Sequence, residues 1–186
     1  MKKGMTVVIT AMFLMVFTGA LYAGQKAPQQ VVDLTPKLAK FGTDPVIVEA
    51  VKAENAKGKT LAHIKETDKK WKETPGVADF MKAQIDNKCG KRLQEIKKSA
   101  AYFEEIFVMD NQGSNVCITS KTTNSWRGEM DKFTKAYNGG KGGVYIGDLK
   151  FDDSTQTYIV QISVPVKDGD KAIGVITLGV NPDKVK

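Results

Sequence analysis

Two hydrophobic periods divide the chain. From residue 105 to residue 181, apolar positions fall in short runs separated by tight polar turns, which is the pattern of β-strands. Glu105-Ile106-Phe107-Val108-Met109 reads as one strand, and Asp110-Asn111-Gln112-Gly113 turns it into a second at Val116-Cys117-Ile118-Thr119. Residues 144–151, 157–167 and 171–180 read as three more, separated by Asp152-Asp153-Ser154 and Asp168-Gly169-Asp170. In the fourth strand Tyr158, Val160, Ile162, Val164 and Val166 alternate with Thr157, Ile159, Gln161, Ser163 and Pro165, so one face is apolar and the other largely polar. The fifth is apolar on both sides, which places it centrally in a sheet, and its Gly174 and Gly179 permit another element to approach closely. A Trp-containing loop and a short helical segment, residues 122–137, interrupt the strands after the second and can roof one face.

The N-terminal half follows a helical period instead. Asp44-Pro45 is a cap with proline at the first helical position, leading into Val46, Ile47, Ala50 and Val51 and ending at Gly58. Thr60 caps a second stretch carrying Leu61, Ile64 and Trp71, and Thr74-Pro75 repeats the cap-proline signal. Beyond it Val77, Met81, Ile85, Cys89 and Leu93 recur every four residues, thickened by Phe80 and Ile96, which predicts a long amphipathic helix loosened at Gly90. Residues 25–30 read as a frayed end. The expected architecture is α+β, a long N-terminal helix packed on a five-stranded antiparallel sheet. Residues 24–43 are then an N-terminal segment and residues 44–186 a single domain, helical over 44–100 and sheet over 101–182.

The first residues set the expected compartment. Lys2 and Lys3 precede an apolar run over residues 7–17 that ends at Gly19-Ala20-Leu21-Tyr22-Ala23, as in a secretory signal peptide spanning residues 1–23 and cut after Ala23. Periplasmic export follows. An uncleaved anchor stays open, since about 17 apolar residues lie near the lower limit of a membrane span. A prepilin leader cut after Gly4 fits poorly, because no acid occurs before Asp33.

Charge adds little. The chain has 28 Lys and Arg against 21 Asp and Glu, a net +7, and the leader holds two of the lysines and no acid. Lys57, Lys59, Lys65, Lys69, Lys70 and Lys72 interleave with Glu54, Glu66, Asp68 and Glu73, a solvated face and not a nucleic-acid stripe. His63 is the only histidine, so no His-rich metal or haem site can be assembled and a catalytic triad has no base. Gly139-Gly140-Lys141-Gly142-Gly143 lacks the spacing of a phosphate loop, and Asp152, Asp153 and Asp170 lack that of a calcium loop. No cofactor and no catalysis are expected. Cys89 and Cys117 are either two buried thiols or, in an oxidising compartment, a bridge pinning helix to sheet.

One resemblance gives these elements a common meaning. Ile106-Phe107-Val108-Met109-Asp110-Asn111-Gln112-Gly113-Ser114-Asn115-Val116, the Trp126, Gly128 and Lys132 of residues 122–133, Tyr145-Ile146-Gly147, Phe151-Asp152-Asp153-Ser154, Gln161-Ile162-Ser163-Val164-Pro165-Val166 and Ile173-Gly174-Val175-Ile176 resemble, in order, the Cache or PAS-like extracytoplasmic sensor domains of bacteria. The resemblance covers residues 44–180. It implies a small-molecule pocket between the sheet and the intervening loops, serving as an input module for chemoreceptors, kinases or cyclic-nucleotide enzymes. The chain departs from the pattern at Thr122-Thr123-Asn124-Ser125-Trp126-Arg127-Gly128-Glu129-Met130, where relatives resemble Thr-x-Asp-Tyr-Trp-Gln-Gly-Asp-Glu.

Candidate ligand contacts follow from side-chain chemistry. Trp126 offers a flat wall and Arg127 a forked donor for carboxylates. Tyr145 and Asp148 have opposite parity on the third strand, offering a hydroxyl or an acceptor for an ammonium. Gln161 and Ser163 share a face of the fourth strand that Tyr158 does not. The ligand expected is a carboxylate, an amino acid or a related metabolite. With no output domain before the chain stops at Lys186, its state would pass to a membrane receptor or kinase. The alternative is an interaction module of the same fold without a pocket, docking a receptor or forming a homodimer through its N-terminal helices.

Overall fold

In the computed structural model, which describes residues 24–186, one antiparallel sheet divides two hydrophobic cores. Residues 1–23, the expected signal peptide, lie outside the described residues. The strands are β1 (Phe103–Met109), β2 (Asn115–Ile118), β3 (Tyr145–Ile146), β4 (Lys150–Asp152), β5 (Thr157–Asp168) and β6 (Lys171–Val180). Their order is β2-β1-β6-β5-β3, and β4 also pairs with β5. The single strand expected over residues 144–151 is thus two short ones, both opposite β5, with Tyr145 facing Ser163 and Phe151 facing Tyr158. Central β6 is the apolar strand of the sequence pattern.

The helices are α1 (Gln29–Val32), α2 (Thr35–Ala39), α3 (Pro45–Asn55), α4 (Leu61–Glu73), α5 (Asp79–Asp86), α6 (Lys88–Lys98) and α7 (Asp131–Tyr137), of which α1, α2, α3 and α6 cover the first face. Asp44 caps α3 by accepting from Val46 N at 3.0 Å, and its other oxygen takes Arg92 Nε at 2.8 Å, tying α3 to α6. Val51 of α3 and Leu93 and Ile96 of α6 meet Ile106, Val108, Val160, Ile162, Val164, Ile176 and Leu178 in one core. Gly174 makes that approach possible: a Cβ there would stand 2.8 Å from Val51 Cγ1 and 2.3 Å from the Met109 carbonyl oxygen.

Two helical expectations are corrected. The long helix over residues 77–96 is two helices, broken at Asn87, whose extended backbone and side-chain oxygen cap α6 by accepting from Gly90 N at 2.7 Å. Gly90 does not loosen the helix. It lets the first turn of α6 press against the end of α5, where a Cβ would stand 2.1 Å from the Ile85 carbonyl oxygen. Nor does Thr74-Pro75 start a helix: Thr74 ends α4, and Val77 is 54% exposed.

Residues 25–30 are also docked, not frayed. Leu149 N donates to Gln25 O at 2.8 Å, Val31 and Leu38 are fully buried, and Lys26 pairs with Asp148 at 3.1 Å. Cys89 and Cys117 form a disulfide with Cα atoms 5.8 Å apart, within the ordinary range, joining α6 to edge strand β2. Among the described residues, no helix is long and apolar enough to cross a membrane.

Candidate functional site

The second face of the sheet is where the polar positions converge. Its apolar half is closed: Phe133 and Ala136 of α7, with Trp71 of α4 and Met81 of α5, bury Phe107, Met109, Ile118 and Val175. Ser163 lies in that closed half, fully buried, with its hydroxyl 2.8 Å from Thr177 Oγ1 on β6. Two residues back along β5 the cover ends, and Gln161 faces open space.

Residues 122–128 form the rim of that space and are held by a dense set of hydrogen bonds. Trp71 Nε1 donates to Thr122 O at 2.6 Å. Asp68 Oδ1 accepts from Ser125 N at 2.8 Å and from Trp126 N at 3.0 Å. Burial opposes ionisation of Asp68, but the hydrogen bonds from Lys72, Trp126 and Ser125 outweigh it and hold the carboxyl below its usual range. Asn115 N donates to Ser125 O and Arg127 N to Gly113 O, both at 2.8 Å, so the rim extends the edge of β2. Close passage over the β1–β2 turn needs glycine on both sides. A Cβ on Gly113 would stand 2.6 Å from Gly128 Cα, and Gly113 itself has φ +82°.

This frame fixes the direction of two side chains. Trp126 turns outward onto the β1–β2 turn, donating Nε1 to Gln112 O at 2.8 Å, with Lys65 over its ring. Arg127, of opposite parity, turns inward. Its guanidinium lies 4.2 Å from the Phe107 ring centroid, and the residue is 4% exposed. Among the described residues it makes one side-chain hydrogen bond, Nη1 to Asn115 Oδ1 at 2.9 Å, which leaves most of its donors unused.

Beside Arg127 stand Glu105 of β1 and Lys132 of α7. Glu105, 2% exposed, accepts from Gln161 Nε2 at 2.6 Å and, at 3.5 Å, from Ser154 Oγ. The same Gln161 accepts from Lys132 Nζ through its Oε1. Among the described residues none of Arg127, Lys132 and Glu105 has an ion-pair partner within 4.0 Å. Burial lowers Arg127 to about 10 despite the fields of Glu105, Asp68 and Asp152. Burial, then the charge of Arg127, lowers Lys132 to about 8. Burial, then the charge of Asp152, raises the Glu105 carboxyl.

Two adjoining cavities open onto this cluster. One, of about 200 Å³, is lined by Lys132, Tyr145, Asp148, Phe151 and Gln161, among others. The second, of about 170 Å³, is lined by Glu105, Thr122, Asn124, Arg127, Ser154 and Gln161, among others. Lys132, Asp152 and Gln161 line both, so the Lys132–Gln161 hydrogen bond stands between them. Each volume is below that of a drug-sized site, so an occupant has few non-hydrogen atoms.

The structure therefore brings Arg127, Gln161, Tyr145 and Asp148 to the cleft and leaves three candidates outside it. Trp126 is held outward by the pairing of the rim with the β1–β2 turn. Tyr158 lies on the opposite face against the first core, its ring 5.4 Å from that of Phe151. Ser163 is sealed beneath α7. Glu105 and Lys132 were missed as contacts, though Glu105 carried a signal: it shares strand parity with Phe107 and Met109, an acid on an apolar face.

No protein-family model matches the chain, and no curated protein matches it. Among solved structures, the sensor domain of the V. cholerae histidine kinase DctB superposes with a TM-score of 0.46 at 14% identity, over 84% of this chain and 52% of that one. The sensory domain of the Campylobacter jejuni chemoreceptor Tlp3, with isoleucine bound, gives 0.41 at 16% identity, over 86% and 65%. The E. coli DcuS sensor domain gives 0.39 at 15% identity, over 67% and 92%. The chain is similar to these sensor domains in structure alone. It spans about half the length of the DctB domain and about two thirds of that of Tlp3.

Proposed function

We propose that this chain is an exported, non-catalytic domain that binds a small carboxylate in the Arg127–Lys132 cleft and passes its occupancy to a membrane receptor or kinase. The observation that carries this reading is Arg127, a buried guanidinium without an ion-pair partner among the described residues, with most of its donors unused. Leaving such a group unanswered in a low-dielectric site is costly, and a carboxylate answers it bidentately. Lys132 supplies a second cation within reach of the same space.

An amino acid fits less well, although the Tlp3 domain is one with isoleucine bound. Its ammonium would need a carboxylate, and the three nearby are engaged. Asp152 Oδ1 accepts from Ser154 and Thr155, Asp148 pairs with Lys26, and Glu105 holds Gln161. The disulfide accords with an oxidising compartment.

A thermal-shift screen of residues 24–186 against organic acids, amino acids and nucleobases tests the proposal. A ligand present at about a hundred times its Kd stabilises by about 2.7 kcal/mol, a rise of about 5–10 °C for a domain of this size. Arg127→Ala is expected to abolish the shift and Arg127→Lys to reduce it, since lysine keeps the charge and loses the fork. If no compound shifts the wild-type protein and none co-purifies with it, the reading fails.

A further inference from the structure

We infer that Glu105 takes up a proton when a carboxylate enters the cleft, so that ligand and proton bind as a pair. The inference rests on the carboxylate-binding reading above and deepens it. Its basis is the arrangement of charge around one buried group. Glu105 faces Arg127 from the rim, Lys132 from α7, Asp152 from β4, Gln161 from β5 and Ser154 from the turn between β4 and β5. Glu104, its neighbour on β1, is turned away and paired with Lys184 at 2.6 Å. The charge of Lys150 bears on Lys132 and that of Asp68 on Arg127.

In the open cleft the charge of Glu105 is offset by the fields of two cations that, among the described residues, have no ion-pair partner within 4.0 Å. An incoming carboxylate engages those cations directly, and its own charge then stands beside Glu105, which is itself 2% exposed. Two carboxylates sharing one low-dielectric site do not both stay ionised. The ligand holds the donors, so the proton goes to Glu105. It comes from solvent and adds to Oε2, while Oε1 keeps the Gln161 amide. Ser154 Oγ, 3.5 Å from Oε2, can accept a hydrogen bond from that proton while its own hydroxyl donates to Asp152 Oδ1 at 2.6 Å. Burial together with Asp152 already raises this carboxyl in the open cleft, and uptake follows from the further rise that the ligand's charge adds.

Acetate is the probe, titrated by calorimetry between about pH 5 and about pH 7, a window in which Lys132 stays largely charged. Wild-type affinity should rise as pH falls, by up to about tenfold per pH unit where one full proton is taken up. Repeating the titration in buffers of different ionisation enthalpy should show net proton uptake. Glu105→Gln, a neutral isostere, should bind acetate at the upper end as the wild type does at the lower, with no uptake. A carbon-13 carboxyl spectrum of the wild-type protein provides a check that needs no variant: acetate should move the Glu105 signal toward its protonated position. If acetate binds and is lost in Arg127→Ala, but with an affinity independent of pH or a pH dependence that Glu105→Gln keeps, proton coupling is overturned and the site reading stands. If acetate binds at no pH to either protein, both fall.

Discussion

Replacing both cysteines, as Cys89→Ala/Cys117→Ala, is expected to cost the domain about 3–4 kcal/mol, from the loop of 28 residues that the bridge closes. For a domain of this size that lowers Tm by about 10 °C. The size of the effect follows from where the bridge lies. Strand β2 has only four residues, pairs with β1 on one side, and receives only the rim on the other. The disulfide is its covalent link to α6 and, through α6, to α3. Both sulfurs are buried, so the double alanine variant removes the crosslink without placing a polar group in the core. Unfolding followed with and without reductant gives the same comparison in the native sequence. A midpoint unmoved by either treatment would mean that packing alone holds β2.

A second large effect is expected at Trp71. The ring is fully buried, stands edge-on to Phe80 with centroids 6.0 Å apart, and hangs the rim from α4 through its bond to the Thr122 carbonyl. Trp71→Ala should cost about 3–5 kcal/mol, as for other large aromatic truncations. Trp71→Phe separates packing from anchoring. It keeps most of the apolar volume and leaves the Thr122 carbonyl unpaired, a loss of about 1–3 kcal/mol. Because the same rim directs Arg127 inward, the phenylalanine variant should also bind a carboxylate more weakly than its lost stability explains. Chemical denaturation and a ligand titration on the same sample measure the two losses. Equal affinity in Trp71→Phe and wild type would show that Arg127 is positioned by Asp68, Gly113 and Asn115 alone.

The elements most legible in the sequence are those whose cause is local. The caps at Asp44 and Thr60 act within one helical turn, and both are seen in the structure with their side chains accepting from Val46 and His63. The strict alternation of β5 and the two-sided apolarity of β6 follow from burial of one face or of both, so strand positions could be read with their place in the sheet. The break at Asn87 was not legible, because its reason is tertiary. A four-residue apolar repeat continues through it, and only the approach of Gly90 to the Ile85 carbonyl reveals that the axis turns. The outward turn of Trp126 is of the same kind, since the rim folds back onto the turn between β1 and β2. Lys132 could not be assigned to the cleft without knowing that Phe133 and Ala136 set the inner face of α7. Arg127 was legible only through its own chemistry, as a forked donor for carboxylates, and its inward direction came from the rim.

The sheet order also sets a sequence of opening. Strand β6 pairs with β5 along its length and with β1 from Val175 to Val180, whereas β3 and β4 hold the edge with two and three residues. Backbone amides of β6 should therefore exchange with deuterium last, through global unfolding, and those of β3 and β4 first, through local fraying. The cleft is walled by that frayed edge on one side, at Tyr145 and Asp152, and by the durable centre on the other, at Glu105 and Gln161. An occupant bridging the two would slow exchange selectively at the edge, so a change in its motion alone could report occupancy without displacement of the core.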